Sequence, residues 1–139
     1  MCYAQGLSQL KITSEEKKYG LNYEEICKIW RGGCIIRAKL LEEFMYAFNK
    51  NPDLVNFIFD SEISHMIKEN DSSARKVSVY SINNKIPSLA LNSSISYFDA
   101  ITTEKLPMNL IQAQRDCFGE HTFERIDMDG TFHNENWQS

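Results

Sequence analysis

No run of this sequence is long and apolar enough to span a membrane. Its first eleven residues include Gln5, Ser8, Gln9 and Lys11, so they hold no uninterrupted apolar stretch of a secretion signal. The expectation is a cytoplasmic protein with no membrane partner. An excess of positive charge is also missing. Fifteen Lys and Arg stand against nineteen Asp and Glu, a net charge of -4, so no overall field holds a polyanion and nucleic acid is a poor partner class. A small phosphate ester escapes that exclusion, because one well-placed Arg can bind it whatever the sign of the whole chain.

Metal-site spacing is absent as well. Cys2, Cys27, Cys34 and Cys117 are widely separated, with no CxxC pair and no His at zinc-site distance, so no metal is expected and the thiols read as reduced and mostly buried. Internal repeats, low-complexity tracts and sustained alternation of apolar and polar residues are lacking too. What is present is a 42% hydrophobic and 12% aromatic composition in 139 residues, enough for one modest packed domain or a piece of a larger one.

Apolar residues recur at helical steps, and the expected fold class is all-α. Tyr3, Leu7 and Leu10 share a face up to about Lys18, with Gly20 where a helix would stop. This helix begins almost at Met1, with no room for a cap, which suggests a start truncated within a longer domain. Asn22 with Glu25 three residues on predicts a capped helix through Ile26, Ile29 and Trp30. Gly32-Gly33 interrupts it, and a strongly buried helix resumes from Cys34 to about Asn49, with Ile36, Leu40, Phe44 and Phe48 at steps of four.

Pro52 marks a turn before a short apolar stretch, Leu54 to Phe59. One helix then starts at Ser61, and Asp71-Ser72-Ser73 can cap another that runs past Val77 and Tyr80 to Lys85. Val77 and Val79 could favour a strand, but no neighbouring segment alternates to pair with one. Pro87 breaks the chain, Leu91, Ile95 and Phe98 define a further helix, and Pro107 opens a last one that closes at Gly119. The expected organisation is a helical domain over 1–119 and an extended tail over 120–139.

Several strings carry a resemblance: Tyr3-Ala4-Gln5-Gly6, Trp30-Arg31-Gly32-Gly33-Cys34-Ile35-Ile36-Arg37, Leu106 through Asp116, Phe118-Gly119 and His121 through Arg125, with Phe132-His133 and Trp137 in the tail. In this order and spacing they resemble the C-terminal region of decarboxylating 6-phosphogluconate dehydrogenases. The resemblance implies an enzyme family that oxidises the 3-hydroxyl of 6-phosphogluconate with NADP, releases carbon dioxide and yields ribulose 5-phosphate. It further implies that Arg115 and His121 bind the substrate phosphate, inserted into the partner subunit's site, so a homodimer or pairing with a full-length subunit is expected. NADP would be bound by a dinucleotide-binding domain whose GxGxxG turn is not among these residues. The family's catalytic Lys and Glu also lie upstream of the matched region, so no catalytic residue is assigned and the chain is expected to be inactive alone.

The residues departs from the family pattern at Ala74, normally Trp, at Cys117, usually Tyr, and at Glu120, usually Ala. A carboxylate at 120 would repel a phosphate unless it points away. On the last helix Leu110, Ile111, Cys117 and Phe118 form the expected apolar face, with Gln114 buried in its middle and Arg115 at its margin. An Arg fork and a neighbouring His suit a phosphate; the plainer alternative makes Arg115 a surface ion pair and His121 a loop residue.

Arg31-Gly32-Gly33 reads as a tight helix break allowing close packing, before an anion-holding turn, and Asp127-Met128-Asp129-Gly130 as an ordinary turn before a calcium loop. A thiol hydrolase on Cys117 and His121 lacks an orienting carboxylate. The main alternative to the enzyme part is a non-catalytic helical dimerisation or binding module derived from the same family.

Overall fold

The computed structural model describes residues 1–137. Among the described residues six α-helices and one short antiparallel strand pair follow in order: α1 Cys2–Lys17, α2 Tyr23–Gly33, α3 Leu40–Lys50, a 3-10 turn Phe57–Phe59, α4 Ser61–Asn83, α5 Leu89–Thr102, α6 Asn109–Gly119, β1 Phe123–Glu124 and β2 Thr131–Phe132. The all-α reading holds. The chain forms two compact units, Met1–Asp99 and Ala100–Ser139, so α6 groups with the tail that follows it.

In the first unit the core gathers around α3. Leu41, Phe44, Ala47 and Phe48 are buried, as are Ala4 and Leu7 of α1, Tyr23 and Cys27 of α2, and Phe57 and Ile58 of the 3-10 turn. Phe44 and Phe57 stack with centroids 3.8 Å apart, and Tyr3 meets Phe44 edge-on at 5.6 Å. Aromatic pairs of this kind add to the area they bury. Asn56 stitches the elements together: its amide donates to Ser8 Oγ at 2.8 Å and Tyr97 Oη at 3.1 Å, while its Oδ1 accepts from Ile58 N at 3.1 Å.

Local signals explain several helix ends. Asn22 caps α2 by accepting from Glu25 N at 3.1 Å, as its position predicts, and Asp60 caps α4 by accepting from Glu62 N and Ile63 N. Lys18, at φ 58, takes the left-handed position that ends α1, two residues before Gly20.

Four expectations need correction. The buried helix starts at Leu40 instead of Cys34: residues 34–39 form a turn in which Arg37 N donates to Cys34 O and the Tyr3 hydroxyl donates to Ile36 O, and Ile35 is 98% exposed. With no apolar surface against it, Ile35 gains nothing from helical order. The two helices expected over 61–85 are one, because Asp71, expected as a cap, instead accepts from Arg75 Nε one turn along, inside α4. Helix α6 begins at Asn109, two residues beyond Pro107. Of the cysteines only Cys27 is buried, its thiol pushed up to about 11 by that burial; Cys34 is half-buried, and Cys2 and Cys117 are exposed.

Arg75 also donates to Asp99 of α5, joining α4 to α5. Beside that link Ala74 faces an open groove of about 210 Å³ lined by Ile67, Leu91, Ile95 and Phe98. Leu91, Ile95 and Phe98 are the side of α5 that its periodicity picks out. Gly32 and Gly33 do end α2, yet neither is closely packed: an added Cβ would meet nothing within 4 Å. Arg31 forms an ion pair with Glu42 at 2.8 Å and so does not present a free guanidinium for an anion.

Candidate phosphate site at the end of helix α6

Helix α6 carries Arg115 one turn before its end. The stripe facing inward within its unit is Gln112, Ala113 and Asp116, with Asp116 fully buried. These positions are spaced i, i+1, i+4, one face of a helix. The expected apolar face is therefore on the outside: Leu110 is 80% and Phe118 92% exposed, and Gln114 is exposed instead of buried. Helical spacing defines an apolar face without fixing what covers it.

Asp116 is the centre of the unit. Its Oδ1 accepts from Thr122 N at 3.0 Å and contacts His133 Nδ1 at 2.8 Å; its Oδ2 accepts from Asn134 N at 3.0 Å and Trp137 Nε1 at 2.9 Å. Burial alone would raise the carboxyl pKa. The bonds from the Asn134 amide, His133 and Trp137 outweigh it and hold the carboxyl well below the usual carboxylate range. His133 shifts the opposite way, chiefly through its bond to Asp116, with Glu120 and Glu135 adding to the effect and burial opposing it.

Past Gly119 the chain reverses within three residues. Glu120 N donates to Asp116 O at 2.9 Å, and Glu120 and Thr122 both adopt left-handed backbone, φ 52 and 61. Between them His121 folds back over Gly119: a Cβ added there would lie 2.8 Å from His121 Nε2. The tail then forms the β1–β2 pair, Phe123 opposite Phe132, and returns to Asp116 through His133, Asn134 and Trp137. In the intervening turn Asp127 accepts from Arg125 at 2.7 Å and 2.5 Å, which ties up one carboxylate of the calcium-like string.

Arg115 is exposed, its guanidinium donating only weakly to Gln112 Oε1 at 3.4 Å. Among the described residues it forms no ion pair with Glu120 or any other acid. His121 is exposed too. Both lie on the α6 end and its reversal, on either side of Gly119. Among the described residues the one carboxylate buried nearby, Asp116, is committed to His133, so it does not orient His121 toward Cys117 as a thiol hydrolase would need. Among the described residues no group of three or more His, Cys, Asp or Glu side chains gathers to hold a metal ion.

Residues 1–137 match the family model described as 6-phosphogluconate dehydrogenase, C-terminal domain. The chain belongs to the 6-phosphogluconate dehydrogenase family. This 6-phosphogluconate dehydrogenase C-terminal region is 44% identical over 133 residues to the decarboxylating 6-phosphogluconate dehydrogenase 1 of Oryza sativa, covering 96% of this chain and 28% of the relative. It is likewise 44% identical to the decarboxylating enzyme of Escherichia coli, with the same coverage. Among solved structures, 6-phosphogluconate dehydrogenase of Plasmodium falciparum matches with a TM-score of 0.87 at 44% identity, over 96% of this chain and 28% of that one. That protein is described in its apo form, with its cofactor NADP+ and with its substrate 6-phosphogluconate. The chain thus spans a little over a quarter of the length of these relatives.

Sequence reasoning named Arg115 and His121 and missed Asp116 as the residue that organises their surroundings. No short pattern points to it, because the groups that meet its carboxylate lie 6 to 21 residues further along the chain.

Proposed function

We propose that this chain serves as part of a 6-phosphogluconate dehydrogenase, supplying Arg115 and His121 as a grip for the substrate phosphate. The observation that supports this reading is the exposed guanidinium of Arg115 at the end of α6, without an ion pair among the described residues, beside a reversal that presents His121. An Arg fork can make two parallel bonds to phosphate oxygens, and an imidazole adds a third, stronger when protonated. Glu120 occupies a left-handed turn position and is exposed, an arrangement compatible with a carboxylate directed at solvent.

In the complete enzyme the reaction is oxidation of the 3-hydroxyl of 6-phosphogluconate, loss of carbon dioxide and formation of ribulose 5-phosphate, with NADP supplying the hydride acceptor. The resemblance assigns that cofactor to a dinucleotide-binding domain whose GxGxxG turn is not found in this sequence. What this chain's residues do is bind and orient the substrate's phosphate end, across a homodimer interface or against a full-length subunit, in the cytoplasm. Among the described residues no helix is long and apolar enough to cross a membrane.

The test is a hybrid in which this chain replaces the matching C-terminal segment of the Escherichia coli relative. The hybrid should reduce NADP with 6-phosphogluconate. Arg115→Ala in it should raise the KM for 6-phosphogluconate strongly and spare that for NADP; an unchanged substrate KM would remove the grip reading. Turnover by the 139-residue chain alone would overturn the proposal that it is only a part.

The second reading, a non-catalytic dimerisation or binding module, draws on the exposed Leu110 and Phe118 of α6. It predicts that the chain co-purifies with a full-length relative. A chain that stays monomeric and indifferent to that enzyme would remove this reading.

A further inference from the structure

We propose that Asp116 and Gly119 are positioning residues for His121: the Asp116 carboxylate ties down Thr122 beside it, and the bare Cα of Gly119 leaves the space in which the imidazole lies. The proposal rests on the reading that Arg115 and His121 grip the phosphate, and goes on to say what sets the geometry of that grip.

The carboxylate is needed for a reason of donor and acceptor counting. Thr122 N, Asn134 N and Trp137 Nε1 are fixed donors, and they approach both oxygens of Asp116. Only an ionised carboxylate accepts on both sides. An Asn side chain of the same shape has one accepting end. Turned toward Asn134 and Trp137, its oxygen keeps two bonds, and its NH₂ then confronts Thr122 N–H. Turned the other way it loses two. The favoured orientation therefore gives up the Thr122 bond, the one adjacent to His121, while His133 can accept from the amide through a neutral Nδ1. Asp116→Asn is in this sense a selective cut at the His121 turn.

Gly119 acts by volume. Its backbone is not in the left-handed region, so alanine meets no conformational penalty there and is the better helix former. The obstacle is the ring of His121, whose Nε2 and Cδ2 would lie 2.8 and 3.1 Å from an added Cβ. One of them must move, and the exposed imidazole yields before helix backbone does. A substitution that favours the helix should thus displace the ligand-facing His.

Two measurements test this. In the isotope-labelled 139-residue chain, nuclear Overhauser contacts between the His121 ring and the Gly119 α-protons should be present and should vanish in Asp116→Asn, while the Trp137 indole proton keeps its bonded shift. In the hybrid enzyme, Asp116→Asn and Gly119→Ala should each raise the KM for 6-phosphogluconate on the order of tenfold, the scale of one hydrogen bond to a charged group. The value of kcat and the KM for NADP should stay within about twofold. Gly119→Ala should not lower the melting temperature, so a rise in KM from it cannot be assigned to lost stability. Retention of the ring contact in Asp116→Asn would overturn the proposal. So would an unchanged substrate KM in both variants where Arg115→Ala raises it. If Arg115→Ala has no effect, the phosphate reading fails by itself and the ring contact still decides the positioning role. If Asp116→Asn loses the Trp137 signal altogether, Gly119→Ala, which leaves the carboxylate and its four partners intact, decides it.

Discussion

Trp137 Nε1 donates to Asp116 Oδ2 at 2.9 Å across twenty-one residues of chain, so the end of the described tail and the last turn of α6 share one carboxylate. His133 contacts the other oxygen at 2.8 Å. The two contacts make the order of the tail depend on the charge state of this pair.

That dependence has a sign. Asp116 is depressed in the folded state, so its contribution is present above the ordinary carboxylate value near 3.9 and is lost as pH falls through its much lower folded value. His133 is raised, so its contribution is complete below the ordinary imidazole value near 6.5 and fades as pH rises through its folded value. The tail should therefore be held most firmly between these limits, in mild acid, and loosen on the alkaline side of 6.5. It should not detach there, because a neutral imidazole can keep its Nδ1 proton toward Asp116. Amide exchange at Thr122 and Asn134, followed from pH 5 to 9 and corrected for intrinsic rates, checks this; protection that grows with pH would contradict it.

Leu41 is fully buried at the centre of the first unit. Leu41→Ala should destabilise it by about 2–5 kcal/mol, the range for a buried leucine whose surroundings collapse only partly. Chemical denaturation of the two chains measures the difference, and a loss under about 1 kcal/mol would mean the site is far more plastic than a packed core.

Asn56 serves four neighbours at once, Ala4, Ser8, Tyr97 and Ile58. Asn56→Ala strands the Ile58 N–H and should cost about 1–3 kcal/mol, the scale of a buried polar group left unpaired. The loss should be largely absent in a chain already carrying Tyr97→Phe only if the Tyr97 bond dominates, which a double-mutant cycle reads directly.

At Ala74 the expectation is a gain. The groove beside it is lined by Ile67, Leu91, Ile95 and Phe98, so Ala74→Leu should stabilise the first unit by about 0.5–2 kcal/mol, the usual return for filling apolar space. A lower melting temperature would show that α4 and α5 cannot accept the added volume.

Helix starts were legible where the signal is local. Asn22 and Asp60 each cap from their own side chain to a backbone amide two or three residues on, and Asn22 could be read without knowing the fold. The late start of α3 could not: Ile35 and Ile36 continue the apolar period, yet the chain turns there, with the Ile36 carbonyl taken by the Tyr3 hydroxyl and Ile35 in solvent. Asp71 shows the same limit from the other side, since a cap and an i,i+4 partner of Arg75 have the same local sequence. Arg115 and His121 come from the resemblance to a known family, and their role is the proposal made above. Asp116 was not legible, because its four partners lie between 6 and 21 residues away and no short pattern joins them.

Three of the four groups that meet Asp116 belong to residues 133–137. A protease that nicks the chain after Phe132, or a tag fused so that it crowds Trp137, would therefore reach a turn more than ten positions earlier in the sequence. The sequence's last described segment is, in effect, the foundation of an upstream loop, and a preparation that looks intact by mass within a few residues need not be intact at His121.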